Sequence, residues 1–247
     1  MGVVQGLTEF IPVSSTAHLI LFPWVFGWGG EVDTLAFDVA LHGGTLLALL
    51  ACFYEDWIRL LVRDRRTLAF ILVSIIPAGV AGVLLHKAVE HTLRSPLVIA
   101  CSLVAVGVAM LAAERCGRKN KEQVSFADAV IIGVAQAVAL IPGVSRSGIT
   151  ITAGLFRNID RAAAARFSFL LSTPVIGGAM LLEGRKLLKS PELFHFEVIF
   201  AGVAASFVSG FLAIKFLLRY LRKHSLATFV YYRFLLAVII VVIWLRY

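Results

Sequence analysis

The chain has 247 residues, of which 60% are hydrophobic and 15% charged, with a mean hydropathy of +0.90. That composition excludes a soluble globular domain and marks a polytopic membrane protein whose core is its own helix bundle. The formal charge of +8 comes from basic residues in short loops between apolar runs, which fits membrane topology and argues against a nucleic-acid partner.

In chain order, the start Met1-Gly2-Val3-Val4-Gln5-Gly6 has no basic n-region and no small-residue cleavage site. It reads neither as a signal peptide nor as a myristoylation site. Residues 1–30 are apolar but broken by Pro12-Val13-Ser14-Ser15-Thr16-Ala17-His18. Spanning helices are expected at about 34–54, 68–85 and 95–113, with 55–66 and 114–123 as charged connectors. A second broken region, 126–156, is interrupted at Pro142-Gly143-Val144-Ser145-Arg146-Ser147-Gly148, and spans at about 166–182, 196–217 and 226–245 follow. Each half of a broken region is about 10 residues, or roughly 15 Å of helix at 1.5 Å per residue. That reaches only the middle of a hydrocarbon core about 30 Å thick, so each is expected to be a re-entrant helical hairpin. The fold class is therefore all-α: six spanning helices plus two re-entrant hairpins in one transmembrane domain over 1–247.

Loop charges orient this plan. Basic residues concentrate in 55–66 (Arg59, Arg63, Arg65, Arg66), 114–123 (Arg115, Arg118, Lys119, Lys121), 157–166 (Arg157, Arg161, Arg166) and 218–225 (Arg219, Arg222, Lys223). The opposite loops hold fewer: Lys87, Arg94, Arg185, Lys186, Lys189 and Arg246. The richer set is expected to be cytoplasmic. The sides alternate only if each hairpin returns to its side of entry and the two enter from opposite faces, as an inverted-topology repeat requires. The halves, about 1–113 and 126–247, echo weakly: Gly2-Val3-Val4-Gln5 matches Gly133-Val134-Ala135-Gln136. Cys52, Cys101 and Cys116 show no CxxC spacing and read as small core residues.

In each hairpin a proline ends the first half-helix and hydroxyl residues precede the second. Ser14, Ser15 and Thr16, and likewise Ser145, Arg146 and Ser147, then lie at helix N-termini, where free N–H groups and the dipole favour phosphate. Arg146 can grip two phosphate oxygens at once. Such a site suits a diphosphate better than a carboxylate. Gln5 and Glu9 are spaced i, i+4 on one helix face, and an intramembrane glutamate needs a cation, a proton or a metal. A divalent ion bridging Glu9 and a phosphoryl oxygen is the expected role. His18, three residues after Ser15, can be the base for a serine nucleophile or itself a nucleophile. Thr150 is a further candidate phosphate contact or helix brace. Asp38 and His42, also i, i+4, are expected to satisfy each other or to support the first hairpin. Arg233 is expected to pair within the bundle or to snorkel. Gly43-Gly44, Gly177-Gly178 and the alanines 162–165 read as close helix packing.

Gln5-Gly6-Leu7-Thr8-Glu9-Phe10-Ile11-Pro12-Val13-Ser14-Ser15-Thr16-Ala17-His18 and Pro142-Gly143-Val144-Ser145-Arg146-Ser147-Gly148-Ile149-Thr150 resemble the two signature motifs of the bacterial undecaprenyl-diphosphate phosphatases of the bacitracin-resistance type. Arg166-Phe167-Ser168-Phe169-Leu170-Leu171-Ser172-Thr173-Pro174 also looks like this family, and the likeness runs through nearly the whole chain. The resemblance implies hydrolysis of a polyprenyl diphosphate to its monophosphate, recycling the lipid carrier of cell-wall synthesis. It also implies dependence on a divalent cation (Mg2+ or Ca2+). The place it implies is the cytoplasmic membrane of a bacterium, with the site open to the outer face. By motif position the catalytic roles fall on Glu9, Ser15, His18 and Arg146, with Glu9 on the metal. Substrate contacts fall on Gln5, Ser14, Thr16, Ser145, Ser147 and Thr150. The favoured chemistry is attack by Ser15, activated by His18. Two departures stand out: Gln5 replaces a glutamate found in many members, which counts against a two-carboxylate metal site, and the chain begins closer to its first motif than the family pattern has it. A homodimer is compatible with the sequence, which fixes no oligomeric state. An acid-phosphatase-like lipid phosphatase is excluded, because no Arg-Pro pair occurs and position 152 is Thr152 instead of the required histidine. A polyprenyl-phosphate flippase is the alternative from another class, since crossed half-helices are transporter architecture.

Overall fold

The computed structural model describes residues 1–29, 34–91, 93, 95–189 and 196–246, the side chains of 35, 36, 86–91 and 183–189 excepted. Among the described residues there are eleven helices: α1 Gly2–Phe10, α2 Ser15–Phe26, α3 Leu35–Cys52, α4 Tyr54–Val62, α5 Arg65–His91, α6 Pro96–Cys116, α7 Phe126–Val138, α8 Arg146–Phe156, α9 Arg161–Lys189, α10 Phe196–Leu221 and α11 Ala227–Trp244. All six expected spans are helical, and both broken regions are helix–turn–helix pairs. Five helices (α5, α6, α9, α10 and α11) are long and apolar enough to cross a membrane alone. The sixth span, α3, continues into α4 across a 68° bend at Phe53. There the structure corrects the sequence reading, because 54–62 is a helix and not a loop. Its charges (Glu55, Asp56, Arg59) alternate with Ile58, Leu60 and Leu61, and only Leu60 is buried.

Local chemistry starts and stops these elements. Thr34 caps α3, Ser95 caps α6 ahead of Pro96 at the first helical position, and Ser125 with Asp128 forms a capping box on α7. Pro23, Pro77 and Pro174 lie inside helices, which membrane bundles tolerate. Outward faces are apolar: Val83, Leu84, Leu181, Leu235 and Val238 are exposed. Cys101 and Cys116 share that outer surface and Cys52 is half-buried, so the expectation of three core cysteines fails.

The four basic loops gather at one end of the bundle. Arg166 pairs with Asp56, joining α9 to α4. Arg161 forks onto Glu114, whose carboxylate also accepts the Leu226 amide. Lys121 pairs in main-chain bonds with Asn158 and Asp160. Asp128, at the start of α7, is fully buried and holds Lys121 and Arg157. The second hairpin therefore enters from this end and returns to it. The side chains of Lys87, Arg94, Arg185, Lys186 and Lys189 lie outside the described residues.

The first hairpin enters from the other end. Gly2 packs on the carbonyl of Gly202 near the start of α10, and Phe10 lies farther along α10 against Gly210. Leu19 of α2 returns to a small cluster with Phe37 and Leu41. The hairpins also lean on complementary helices, α1 on α10 and α7 on α5. A Cβ on Gly6 would lie 2.4 Å from the Ser206 carbonyl oxygen, and one on Gly133 would lie 2.6 Å from that of Ser74. Both half-helices thus sit with backbone nearly touching backbone, which only glycine allows. Gly44 approaches the Val203 carbonyl in the same way, whereas Gly178 faces open space, so close packing holds for one and not the other.

Candidate functional site

The hairpin tips share one local conformation. Ser14 has φ 76° and Ser145 φ 70°, the left-handed region that non-glycine residues rarely occupy. Each costs about 1–3 kcal/mol and persists only where its surroundings enforce it. Each serine also caps the following half-helix, Ser14 Oγ accepting from the Ala17 amide and Ser145 Oγ from the Gly148 amide. Each stands nine residues after a buried glutamine, Gln5 or Gln136. The first residues of α2 and α8 are therefore structural counterparts, and they are Ser15 and Arg146.

Both meet at Glu9. Ser15 Oγ donates to Glu9 Oε2 at 2.6 Å, Gln5 Nε2 donates to the same oxygen at 3.1 Å, and Arg146 Nη2 pairs with Oε1. His42 Nε2 stands 3.7 Å from Oε2, its Nδ1 bonded to the Asp38 carbonyl, so His42 braces the first hairpin. Glu9 is buried, Ser15 and Arg146 are partly exposed and Thr16 is exposed. A carboxylate thus sits where two helix N-termini and a guanidinium converge, surroundings that equally favour a phosphate.

The remaining residues form the wall behind this point. Arg146 Nη1 donates to the Ser172 carbonyl at 3.4 Å. Thr150 Oγ1 donates to the Arg146 carbonyl at 2.7 Å and shares a hydrogen bond with Ser168 Oγ at 2.7 Å. Thr150 is buried and bonded on both sides, so it braces α8 against α9. Ser147 is buried and shares a 3.2 Å hydrogen bond with Ser145 Oγ.

His18 departs from expectation. Its Nδ1 bonds the Ser14 carbonyl at 2.7 Å, and its Nε2 faces the Tyr232 hydroxyl at 2.7 Å, with the two rings stacked at 5.7 Å. Both ring nitrogens are thus engaged away from Ser15, and the Ser15–His18 pair that the spacing allows is not formed. Tyr232, Ser168 and Ser172 were missed among the site residues. Ser168 and Ser172 lie in the 166–174 segment that resembles the family, which marked the stretch without assigning either serine a role, and Tyr232 carries no local signal that separates it from other residues of apolar helices.

Gln5 Oε1 and Gln136 Oε1 are buried without a hydrogen-bond donor. Among the described residues no three histidine, cysteine, aspartate or glutamate side chains gather closely enough to hold a metal ion. Gln5, Glu9 and Ser15 nevertheless offer an oxygen-only set beside the Arg146 guanidinium, with one acceptor unsatisfied. That suits Mg2+ or Ca2+, which take much of their coordination from water and substrate oxygens.

The profile of the family described as "Bacitracin resistance protein BacA" matches residues 1–239. The chain is 53% identical over 240 residues to an undecaprenyl-diphosphatase of Thermodesulfovibrio yellowstonii, covering 97% of this chain and 93% of that one. It is 49% identical to a protein of that name from Moorella thermoacetica, covering 100% and 97% of the two chains. It is also 49% identical to one from Desulforudis audaxviator, covering 98% and 95%.

Proposed function

The chain belongs to the bacitracin resistance protein family, and on that premise we propose that it is a membrane hydrolase that converts undecaprenyl diphosphate to the monophosphate and phosphate. The single observation that carries this is the meeting of Ser15 and Arg146, the first residues of two opposed half-helices, on one buried carboxylate. The product monophosphate returns to service as the lipid carrier for cell-wall synthesis, and its regeneration confers resistance to bacitracin.

The chemistry follows from the chain's own groups. Arg146 takes up the terminal phosphate oxygens, and the free N–H groups at the starts of α2 and α8 hold the rest of the diphosphate. As Arg146 turns to the substrate, Glu9 keeps the Ser15 hydroxyl. Ser15 Oγ attacks the terminal phosphorus while its proton passes to Glu9 Oε2, its present acceptor. The anhydride bond breaks and undecaprenyl monophosphate leaves. Water then releases phosphate from the serine ester. Glu9 replaces His18 as proton acceptor because it is the group Ser15 touches. Gln5 and Glu9 would hold a divalent ion, whose chemistry is to neutralise charge developing on the phosphoryl oxygens.

The matching left-handed φ at Ser14 and Ser145, within 6° of each other, and the crossed packing of α1 on α10 and α7 on α5 support an inverted-topology repeat as the frame of this site. The excess of basic residues at one end supports placing that end in the cytoplasm of the bacterial inner membrane, with α2 leading to the outer face. The test is phosphate release from undecaprenyl diphosphate by purified protein in detergent with Mg2+ or Ca2+ present. Release supports the assignment, and no release overturns it and leaves lipid transport.

A further inference from the structure

Arg233 lies in the middle of α11, an otherwise apolar helix, and is fully buried. Each of its five hydrogen bonds goes to a main-chain carbonyl. Nη1 donates to Pro12 at 3.2 Å, and Nη2 donates to Gly143 at 2.9 Å and Val144 at 3.1 Å. Nε donates to Leu103 at 3.1 Å and Nη2 also to Ser102 at 3.4 Å, anchoring the group to α6. One planar fork therefore joins the tips of both re-entrant hairpins to the scaffold pair α6 and α11. Pro12 is two residues before Ser14, and Gly143 and Val144 are the two residues before Ser145. The Val144 carbonyl belongs to the peptide that defines φ of Ser145, and the Pro12 carbonyl to the peptide one step before that of Ser14, so the fork holds each tip directly ahead of its left-handed cap and of the N–H groups at the starts of α2 and α8. Tyr232, the neighbouring residue, holds His18 from the same helix.

We propose that Arg233 is a positioning residue: it locks the two hairpin tips in register so that Ser15 and Arg146 present their helix ends to one diphosphate. This rests on the phosphatase reading above. No other side-chain type does the same. Lysine keeps the charge but has one nitrogen, which cannot span carbonyls from three segments, and methionine fills the volume without a donor. None of Arg233's hydrogen bonds goes to Ser15, Glu9 or Arg146, so its loss degrades geometry and leaves the reacting groups in place.

The experiment compares purified wild type, Arg233→Lys and Arg233→Met in phosphate release from undecaprenyl diphosphate. Hydrogen–deuterium exchange over 10–17 and 142–148 is measured on the same samples. Folding is checked by elution profile and thermal midpoint. The expected result for the folded variants is a kcat reduced about a hundredfold, the scale of an ångström-level misplacement. KM should stay within about threefold, because the Arg146 guanidinium and the N–H groups that take up the diphosphate remain in the variants. Exchange should quicken at both tips and remain unchanged in α9 and α10. Wild-type kcat in folded Arg233→Lys, or faster exchange at one tip only, overturns the proposal. So does failure of both variants to fold, which makes Arg233 a folding residue. Absence of phosphate release by the wild type sinks the phosphatase reading instead, and the exchange comparison still decides whether Arg233 joins the tips.

Discussion

Glu9→Gln is the most informative single change, because it preserves volume and removes only the charge on which the site converges. Three contacts depend on that charge: the Ser15 hydroxyl at 2.6 Å, the Gln5 amide at 3.1 Å and the Arg146 guanidinium. Breaking a buried ion pair from one side costs about 3–5 kcal/mol. Arg146 keeps 15% side-chain exposure, so water relieves part of this, and the lower end, about 3 kcal/mol, is expected. The catalytic loss is separate. Removing a proton acceptor costs about 10²–10⁴ in rate, and a mid-range loss near 10³ corresponds to about 4 kcal/mol of barrier. The assay is phosphate release per folded molecule, with thermal midpoints measured in parallel. The double variant Glu9→Gln/Arg146→Gln separates the effects: it should regain part of the midpoint lost in Glu9→Gln and remain inactive. Activity of Glu9→Gln within about threefold of wild type would refute the reasoning.

Three further outcomes are expected. A rapidly quenched reaction should carry phosphate on Ser15, Ser15→Ala should carry none, and label on His18 would instead make histidine the nucleophile. Gly133→Ala drives a Cβ to within 2.6 Å of the Ser74 carbonyl oxygen and should lower stability by about 1–3 kcal/mol, while Gly178→Ala, which meets nothing within 4 Å, should leave the thermal midpoint unchanged; equal midpoints for the two would contradict the described helix contact. A chelator should abolish phosphate release and added Mg2+ or Ca2+ should restore it, whereas full activity in chelator would remove the cation from the site.

The architecture was readable because bilayer physics writes it in hydropathy. Apolar runs of spanning length became α5, α6, α9, α10 and α11, and proline with hydroxyl residues marked both hairpin tips. Loop charge also anticipated that four loops share one end, which the Arg166–Asp56 and Arg161–Glu114 pairs bear out. Helix α4 escaped because its charged residues made it look like a connector. The site was half legible. Glu9, Ser15 and Arg146 stand out as polar groups in apolar sequence, and they do meet. The partner of His18 could not be read from spacing. Positions i and i+3 share a helix face, but α11 presents the Tyr232 hydroxyl to the imidazole while the Ser15 hydroxyl turns to Glu9. Arg233 was visible as an isolated charge, yet its partners are carbonyls, which leave no trace in side-chain patterns.

The central claim is that the two hairpin tips build one diphosphate site with Arg146 as its clamp. The most direct measurement is phosphate release from undecaprenyl diphosphate by purified Arg146→Ala beside wild type, both verified as folded. The account predicts release by the wild type and a loss of at least about a thousandfold in the variant, on the scale of removing a charged group that stabilises the transferring phosphoryl. Arg146→Ala turning over near the wild-type rate would contradict it.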